Sequence, residues 1–128
     1  MLLYKELYRE SVFSVNRSYS LKRHKEFRYT YRVGRKNSAS LFTLVYARSR
    51  NASVRIGFSV SKRVGNAVQR NRAKRRMRAC ITPMLPSIRG GCNLIVIAKP
   101  EVLDAPFPEL QAELEALLKK SGVWADEP

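Results

Sequence analysis

The segment from Lys62 to Arg78 carries eight lysine and arginine residues and no acidic residue, and this run constrains the fold most. Asn66 is a favourable N-cap residue and Pro83 stops a helix, so we predict one helix from Asn66 to about Thr82. Its apolar side chains project into a narrow stripe: Ala73, Met77, Cys80, Ile81 and Met84. Its cationic side chains occupy most of the remaining arc: Arg70, Arg72, Lys74, Arg75, Arg76 and Arg78. One face can therefore join a core, while the others favour a polyanion.

Positive charge is confined to the first 100 residues, where 23 basic residues stand against 3 acidic ones. The last 28 residues hold 2 basic and 7 acidic residues, which leaves the 128-residue chain at +15. An anionic membrane is a rival partner, but a membrane-surface helix needs bulky apolar residues opposite its charges, and this helix has small or flexible ones. The charge pattern therefore favours a nucleic acid over a membrane.

The length allows one domain, and the remaining elements follow from periodicity and from turn and cap residues. The predicted order is a helix over 21–33 capped by Ser20, strands over 41–48 and 53–61, the basic helix, a strand over 93–99, and a helix over 106–121. A further short strand over 49–54 would bring the sheet to four strands. This order is typical of an α+β layer and not of a repeated β-α-β fold.

The strand over 53–61 alternates strictly between apolar and small or polar residues. The apolar side, which we expect in the core, is formed by Val54, Ile56, Phe58 and Val60, and the open side by Arg55, Gly57, Ser59 and Ser61. Phe27 and Tyr31 are i,i+4 neighbours on the first helix, so their rings can stack on single-stranded RNA bases beside this open side. The alternative is that both rings belong to the core.

Few residues are available for catalysis or metal binding. Cys80 and Cys92 form no Cys-x-x-Cys pair and His24 is the single histidine, so a zinc site lacks ligands and both thiols are expected to be free. With one histidine and few acidic residues, the sequence offers few side chains for histidine-based nucleophilic catalysis. It also lacks the glycine-rich motif of a phosphate-binding loop. We therefore expect neither catalytic nor metal-ligating residues, and the charged start of the chain is unlike a signal peptide.

The stretch from Arg55 to Arg78, with Ser-Val-Ser-Lys-Arg-Val-Gly-Asn-Ala-Val-Gln-Arg-Asn-Arg-Ala-Lys-Arg at its centre, closely resembles the bacterial ribonuclease P protein family. The flanks agree in order: Leu21–Phe27 before it, then Leu94–Pro100 and an amphipathic helix after it. The resemblance covers about residues 20–121. It implies a single α+β domain over 20–122, between a flexible tail over 1–19 and a C-terminal tail over 123–128.

The resemblance also implies a mixed sheet of about four strands, an N-terminal helix, a C-terminal helix, and the basic helix in an unusual left-handed β-α-β crossover. The family is a small cytoplasmic cofactor of a large catalytic RNA that removes the 5′ leader from precursor tRNA. Its partners are thus the catalytic RNA and the leader, and neither a membrane nor DNA is expected. Hydrolysis is assigned to Mg²⁺ bound mainly by the RNA.

Two sets of positions match the family's RNA contacts. The resemblance assigns binding of the catalytic RNA to Arg63, Asn66, Arg70, Asn71, Arg72, Lys74 and Arg75. It assigns a leader-binding cleft, between the first helix and the sheet, to Phe27, Tyr31, Thr43, Val45, Ser59, Lys62 and Arg78. The chain departs from the family at Ala73, often bulkier, at Arg76, often apolar, and at Val45, often aromatic. A structural RNA-binding protein such as a ribosomal component is the alternative function, whereas a protein-only nuclease would need a carboxylate cluster.

Overall fold

The computed structural model describes Leu21, residues 24–50 and residues 52–125. The helices are α1 (His24–Val33), α2 (Ala67–Ile81) and α3 (Phe107–Lys120), and the strands are β1 (Arg35–Ser38), β2 (Phe42–Arg48), β3 (Arg55–Ser59) and β4 (Cys92–Ala98). Short 3₁₀ helices span Lys62–Val64, Thr82–Ser87 and Pro100–Leu103. Within these residues, no helix is long and apolar enough to cross a membrane. The predicted α+β class is confirmed.

The four strands form one mixed sheet in the order β1-β2-β4-β3. Strand β4 lies inside, antiparallel to β2 and parallel to β3, which explains its nearly continuous apolar run. Strands β3 and β4 are adjacent and parallel with α2 in their connection, so the expected β-α-β unit is present. The left hand of its crossover stays a prediction.

Helices α2 and α3 contribute to the main core on one face of the sheet. The stripe predicted on the basic helix is confirmed, because Ala73, Met77, Cys80 and Ile81 of α2 and the following Met84 are all buried. The buried side of α3 is formed by Leu110, Leu114, Leu117 and Leu118. These side chains share one cluster with Leu44, Ile56, Leu94 and Val96 of the sheet.

The opposite face of the sheet carries a much smaller cluster. Leu21, Val45 and Ile95 are buried in it, and Phe27 of α1 and Ile97 of β4 pack against it as partly buried residues. The cluster is small because α1 covers only part of this face, and no other described helix packs on the rest of it.

Two predictions about the first half of the chain need correction. Helix α1 begins at His24, whereas Leu21 lies outside it and donates its backbone N–H to the Ile56 carbonyl at 2.9 Å, and the proposed cap Ser20 lies outside the described residues. The fourth strand is β1, while the described residues of 49–54 form no strand. The edge strand Arg35–Ser38 has no apolar residue to mark it, because its burial is slight.

Packed structure also continues past the predicted domain boundary at residue 122. Val123 is buried, Trp124 packs against the main core and forms a β-bridge with Ile88, and Ala125 donates its N–H to the Ser87 carbonyl. The tail assigned to 123–128 therefore begins no earlier than residue 126. The tail assigned to 1–19 lies outside the described residues.

Both cysteines are free, as the sequence predicts, and both are buried. Burial raises the pKa of the Cys80 thiol to about 12 and that of the Cys92 thiol to about 11. Thiols this hard to ionise are poor nucleophiles at neutral pH, so they contribute to packing.

Candidate nucleic-acid interface

Helix α1 crosses the strands of the sheet. Its Phe27 ring lies over Gly57 of β3, where an added Cβ would come within 2.3 Å of Phe27 Cζ. At its other end, a Cβ on Gly34 would come within 2.8 Å of Val45 Cγ1 on β2. Gly57 and Val45 are both register neighbours of Ile95 on β4, so the helix follows one row of residues across three strands.

The next row of residues on the same face is not covered by α1. Strand register makes Ser38 a neighbour of Thr43, Thr43 a neighbour of Ile97, and Ile97 a neighbour of Ser59, across all four strands. None of these four residues is fully buried, and the Ser38 and Thr43 hydroxyl oxygens lie 2.7 Å apart in a hydrogen bond. We call these four residues the open row.

The two aromatic residues predicted on α1 have different environments. Phe27 is half-buried over Gly57, whereas Tyr31 is 38% exposed. Thr30 is buried and bonded to Asn93 on the side of α1 away from the open row. Relative to Phe27, which faces the sheet, Thr30 lies about 60° to one side of the helix and Tyr31 about 40° to the other, so Tyr31 projects toward the open row. The open row and these two rings together form what we call the groove.

Not every residue assigned to the leader-binding cleft lies in the groove. Thr43 and Ser59 belong to the open row, and Lys62 is exposed just beyond β3. Val45 is fully buried beneath α1, so the structure does not bring its side chain to the surface. Arg78 projects from α2 and its guanidinium carbon lies 5.4 Å from the centre of the Phe58 ring, on the other face of β3.

The start of α2 is fixed by its own side chains. Asn66 Oδ1 accepts a hydrogen bond from the Gln69 N–H, and Gln69 Oε1 accepts one from the Asn66 N–H, both at 2.9 Å. This reciprocal cap confirms the predicted helix start and engages the Asn66 side chain within the protein. Arg63, in the preceding 3₁₀ helix, is exposed.

One flank of α2 concentrates positive charge. Arg70, Lys74 and Arg78 follow one another at i,i+4 spacing, and we call them the cationic ridge. Burial lowers the pKa of Lys74 below its usual 10.5, and the charges of Arg78 and Arg70 lower it further. No carboxylate is among the groups that shift it. A phosphate on the ridge would relieve this repulsion.

The other polar residues assigned to α2 divide between solvent and the protein. Arg72 and Arg75 are exposed, whereas Asn71 is only 6% exposed and its Nδ2 has no hydrogen-bond partner. Arg76 does not belong with the solvent-facing cations, because it donates to the carbonyls of Leu103, at 3.0 Å, and Ala105. Sequence reasoning missed this structural role, although the departure from the family at Arg76 was a signal.

The groove and the cationic ridge lie on the two sides of β3. Ser59 faces the groove and its neighbour Phe58 faces Arg78, because successive strand residues point to opposite faces. Strand β3 lies at the edge of the sheet, so the two surfaces flank a single edge strand.

Among the described residues, no three His, Cys, Asp or Glu side chains are grouped to hold a metal ion. Glu113 instead accepts hydrogen bonds from Ser40 and from the Leu41 N–H, and Glu115 pairs with Lys119 at 3.0 Å. The groove and the ridge contain hydroxyl, aromatic, amine and guanidinium groups and no carboxylate, so they do not fit Mg²⁺, which prefers carboxylate ligands.

Sequence comparison matches this chain to one protein family. Residues 15–122 match the family model described as Ribonuclease P. The ribonuclease P protein component of Chloroflexus aurantiacus is 42% identical over 108 residues, which are 84% of this chain and 80% of that relative. That of Symbiobacterium thermophilum is 36% identical and matches 85% of this chain and 96% of the relative.

Solved structures of RNase P proteins have a similar fold. A mutant of the Staphylococcus aureus RNase P protein superposes with a TM-score of 0.79 at 30% identity, over 92% of this chain and 98% of that one. The RNase P protein of Thermotoga maritima gives a TM-score of 0.72 over 79% of this chain and 96% of that one. At 22% identity it shows the likeness of fold alone.

Proposed function

Since the chain belongs to the ribonuclease P protein family, and is thereby a component of an endoribonuclease complex, we propose that it binds the catalytic RNA and the 5′ leader of precursor tRNA. In this role it promotes removal of the leader to give the mature 5′ end of tRNA. The observation that carries the proposal is the position of β3 between the groove on one face and the cationic ridge on the other.

The groove is suited to a single strand. Tyr31 and part of Phe27 offer ring faces for stacking, and Ser38, Thr43 and Ser59 offer hydroxyls for hydrogen bonds to sugar, phosphate or base edges. Lys62, just beyond β3, supplies a positive charge for the phosphates of the single-stranded RNA. This combination tolerates different sequences, because stacking does not depend on base identity.

The basic helix is suited to a folded RNA. Arg72 and Arg75 are exposed, and Arg70 and Lys74 are half-buried on the ridge. One guanidinium group can donate hydrogen bonds to two oxygens of the same phosphate. Neutralising phosphates in this way lowers the electrostatic repulsion between the catalytic RNA and the precursor tRNA. Arg63 is also exposed, in the 3₁₀ helix just before α2.

We assign the hydrolytic chemistry to the RNA, with Mg²⁺ bound there to activate water and stabilise the leaving oxygen. The protein surface proposed for RNA binding carries no carboxylate to hold this metal. The protein therefore contributes positive charge and binding contacts to the two RNAs.

The proposal is tested by precursor-tRNA cleavage at low Mg²⁺ with the protein alone, a bacterial ribonuclease P RNA alone, and their mixture. We expect cleavage in the mixture only. Cleavage by the protein alone would place the chemistry in the protein and reject the assignment above. An inactive mixture in which the protein still binds RNA would favour a structural RNA-binding role, such as that of a ribosomal component.

A binding measurement separates the two roles further. If the groove holds the leader, the assembled particle binds precursor tRNA more tightly than mature tRNA. A purely structural RNA-binding protein would give equal affinities, because it needs no site for the leader.

A further inference from the structure

The turn between β1 and β2 is held by a side chain from helix α3. The Glu113 carboxylate accepts hydrogen bonds from the backbone N–H groups of Ser40, at 3.1 Å, and Leu41, at 2.6 Å, and from the Ser40 hydroxyl. Successive backbone N–H groups that point at one anion form a cradle for it. Glu113 lies 73 residues from Ser40 in the sequence, so the fold alone creates this contact, which we call the Glu113 anchor.

Strand β1 depends on polar contacts of this kind for its position. It is a four-residue edge strand without an apolar side chain, so burial of apolar surface contributes little to holding it. Besides its backbone pairing with β2, Asn37 Nδ2 donates to the hydroxyl of Ser121, the residue that ends α3, at 2.9 Å. Helix α3 is itself fixed by four leucines buried in the main core, so it gives β1 and the following turn a rigid support.

The anchored turn adjoins the groove. Ser38 and Thr43 form the last register pair of β1 and β2 before the turn, and both belong to the open row. Asn37 points toward the end of α3, so its neighbour Ser38 points to the groove, because successive strand residues face opposite sides of a sheet. A shift of the turn would therefore displace the Ser38 and Thr43 hydroxyls relative to the rest of the open row.

The carbonyl groups of the turn have other partners. Lys99, just after β4, donates its backbone N–H to the Leu41 carbonyl at 2.9 Å and its amine to the Ala39 carbonyl. The Ala39 N–H closes the turn by donating to the Phe42 carbonyl at 2.8 Å. Loss of Glu113 would therefore release N–H groups of the turn and leave these carbonyl contacts in place.

We propose that Glu113 is a positioning residue for RNA binding: by holding the β1–β2 turn, it sets Ser38 and Thr43 where they contact the 5′ leader. The inference rests on the proposed function of the groove and deepens it, because it makes α3, on the other face of the sheet, part of the support of the leader site. Glu113 acts through the turn and not by contact with RNA.

The test compares Glu113→Ala with Glu115→Ala, which removes an exposed carboxylate of the same helix that pairs with Lys119. Glu113→Gln keeps one carbonyl acceptor and serves as the milder variant if Glu113→Ala lowers the Tm strongly. Affinity is measured for the catalytic RNA and, in the assembled particle, for precursor and mature tRNA. Amide hydrogen exchange at Ser40 and Leu41 reports loss of the anchor.

A double-mutant cycle separates positioning from general stabilisation. Glu113→Ala is also made in a chain that carries Ser38→Ala and Thr43→Val, which removes the two hydroxyls of the open row. If Glu113 acts through these hydroxyls, its loss lowers precursor affinity in the wild type and has little effect in this background. A residue with a merely structural role would cause the same loss in both.

We expect Glu113→Ala to speed exchange at both amides and to lower precursor affinity by about three- to tenfold, with mature-tRNA and catalytic-RNA affinities unchanged and little effect from Glu115→Ala. Unchanged exchange, unchanged precursor affinity, an equal loss for mature tRNA, or an equal loss without the two hydroxyls would each overturn the positioning role. A wild type that binds precursor and mature tRNA equally would instead overturn the proposed leader site, on which the inference rests.

Discussion

Asn93 Nδ2 donates a hydrogen bond of 3.2 Å to Thr30 Oγ1, and both residues are buried where α1 lies on β4. The Thr30 hydroxyl in turn donates to the Glu26 carbonyl at 2.8 Å. This chain of bonds fixes the rotation of α1 on the sheet, because Thr30 can reach Asn93 in one orientation only. The same orientation directs Tyr31 toward the open row.

Thr30→Val keeps the shape of this side chain and removes its hydroxyl. The Asn93 amide then stays buried without its acceptor, so we expect a loss of about 1–3 kcal/mol in the free energy of unfolding, or several degrees in Tm. Precursor affinity should fall as well, since α1 is less firmly held. Thr30→Ser is the matched control and should behave like the wild type in thermal unfolding; an equal loss there would mean that the hydroxyl is not responsible.

Tyr31→Ala tests stacking in the groove. Tyr31 is 38% exposed and supports little packing, so its removal should leave the Tm nearly unchanged. Precursor affinity of the assembled particle should fall by about 1–3 kcal/mol, the value of one stacked base, with mature-tRNA affinity unaffected. Tyr29→Ala, at 44% exposed, is the control; a similar loss from this variant would argue against a specific role for Tyr31.

Lys74→Gln separates RNA binding from stability on the cationic ridge. The charged amine is disfavoured by burial and by Arg78 and Arg70, so neutralising it should not lower the Tm at neutral pH. The affinity for the catalytic RNA should fall nevertheless, with the salt slope reduced by about 1. A lower Tm without loss of affinity would show that Lys74 serves the fold instead.

The pH dependence of Lys74 follows from the sign of its shift. Its folded-state pKa lies below the usual 10.5, so the folded state binds fewer protons than the unfolded one between these two values, and this residue's contribution to stability increases as pH rises through that window. Phosphate on the ridge favours the charged amine and should raise the pKa. NMR titration of the lysine side chains, with and without the catalytic RNA, measures this change; an unaltered pKa would place the phosphates elsewhere.

Arg76→Ala and Arg72→Ala should have opposite effects although both remove one charge from α2. Arg76 donates to the carbonyls of Leu103 and Ala105, so its loss should cost about 1–3 kcal/mol of stability with little direct effect on RNA binding. Arg72 is exposed, so its loss should weaken binding of the catalytic RNA and spare the Tm. Thermal unfolding and RNA binding of the two variants settle the assignment, and the reverse pattern would contradict it.

The sequence by itself determined the elements whose patterns are long and strongly marked. The cap residue Asn66 and the apolar stripe through Met77 predict α2 nearly to the residue, and the Leu114 side of α3 is equally clear. The alternation through Ile56 predicts which face of β3 enters the core. These features are local, because helix periodicity, strand alternation and caps depend on neighbours in the chain.

Only the tertiary structure decided which of the marked residues share a surface. Strand β1 gains its structure from pairing with β2 and carries no apolar pattern of its own, so sequence reasoning missed it. Val45 and Thr43 lie two residues apart on one face of β2, yet α1 buries the first and leaves the second in the open row. Burial of this kind depends on how a remote helix crosses the sheet, and the contact of Glu113 with the turn after β1 has the same origin: contacts between segments that no local pattern connects.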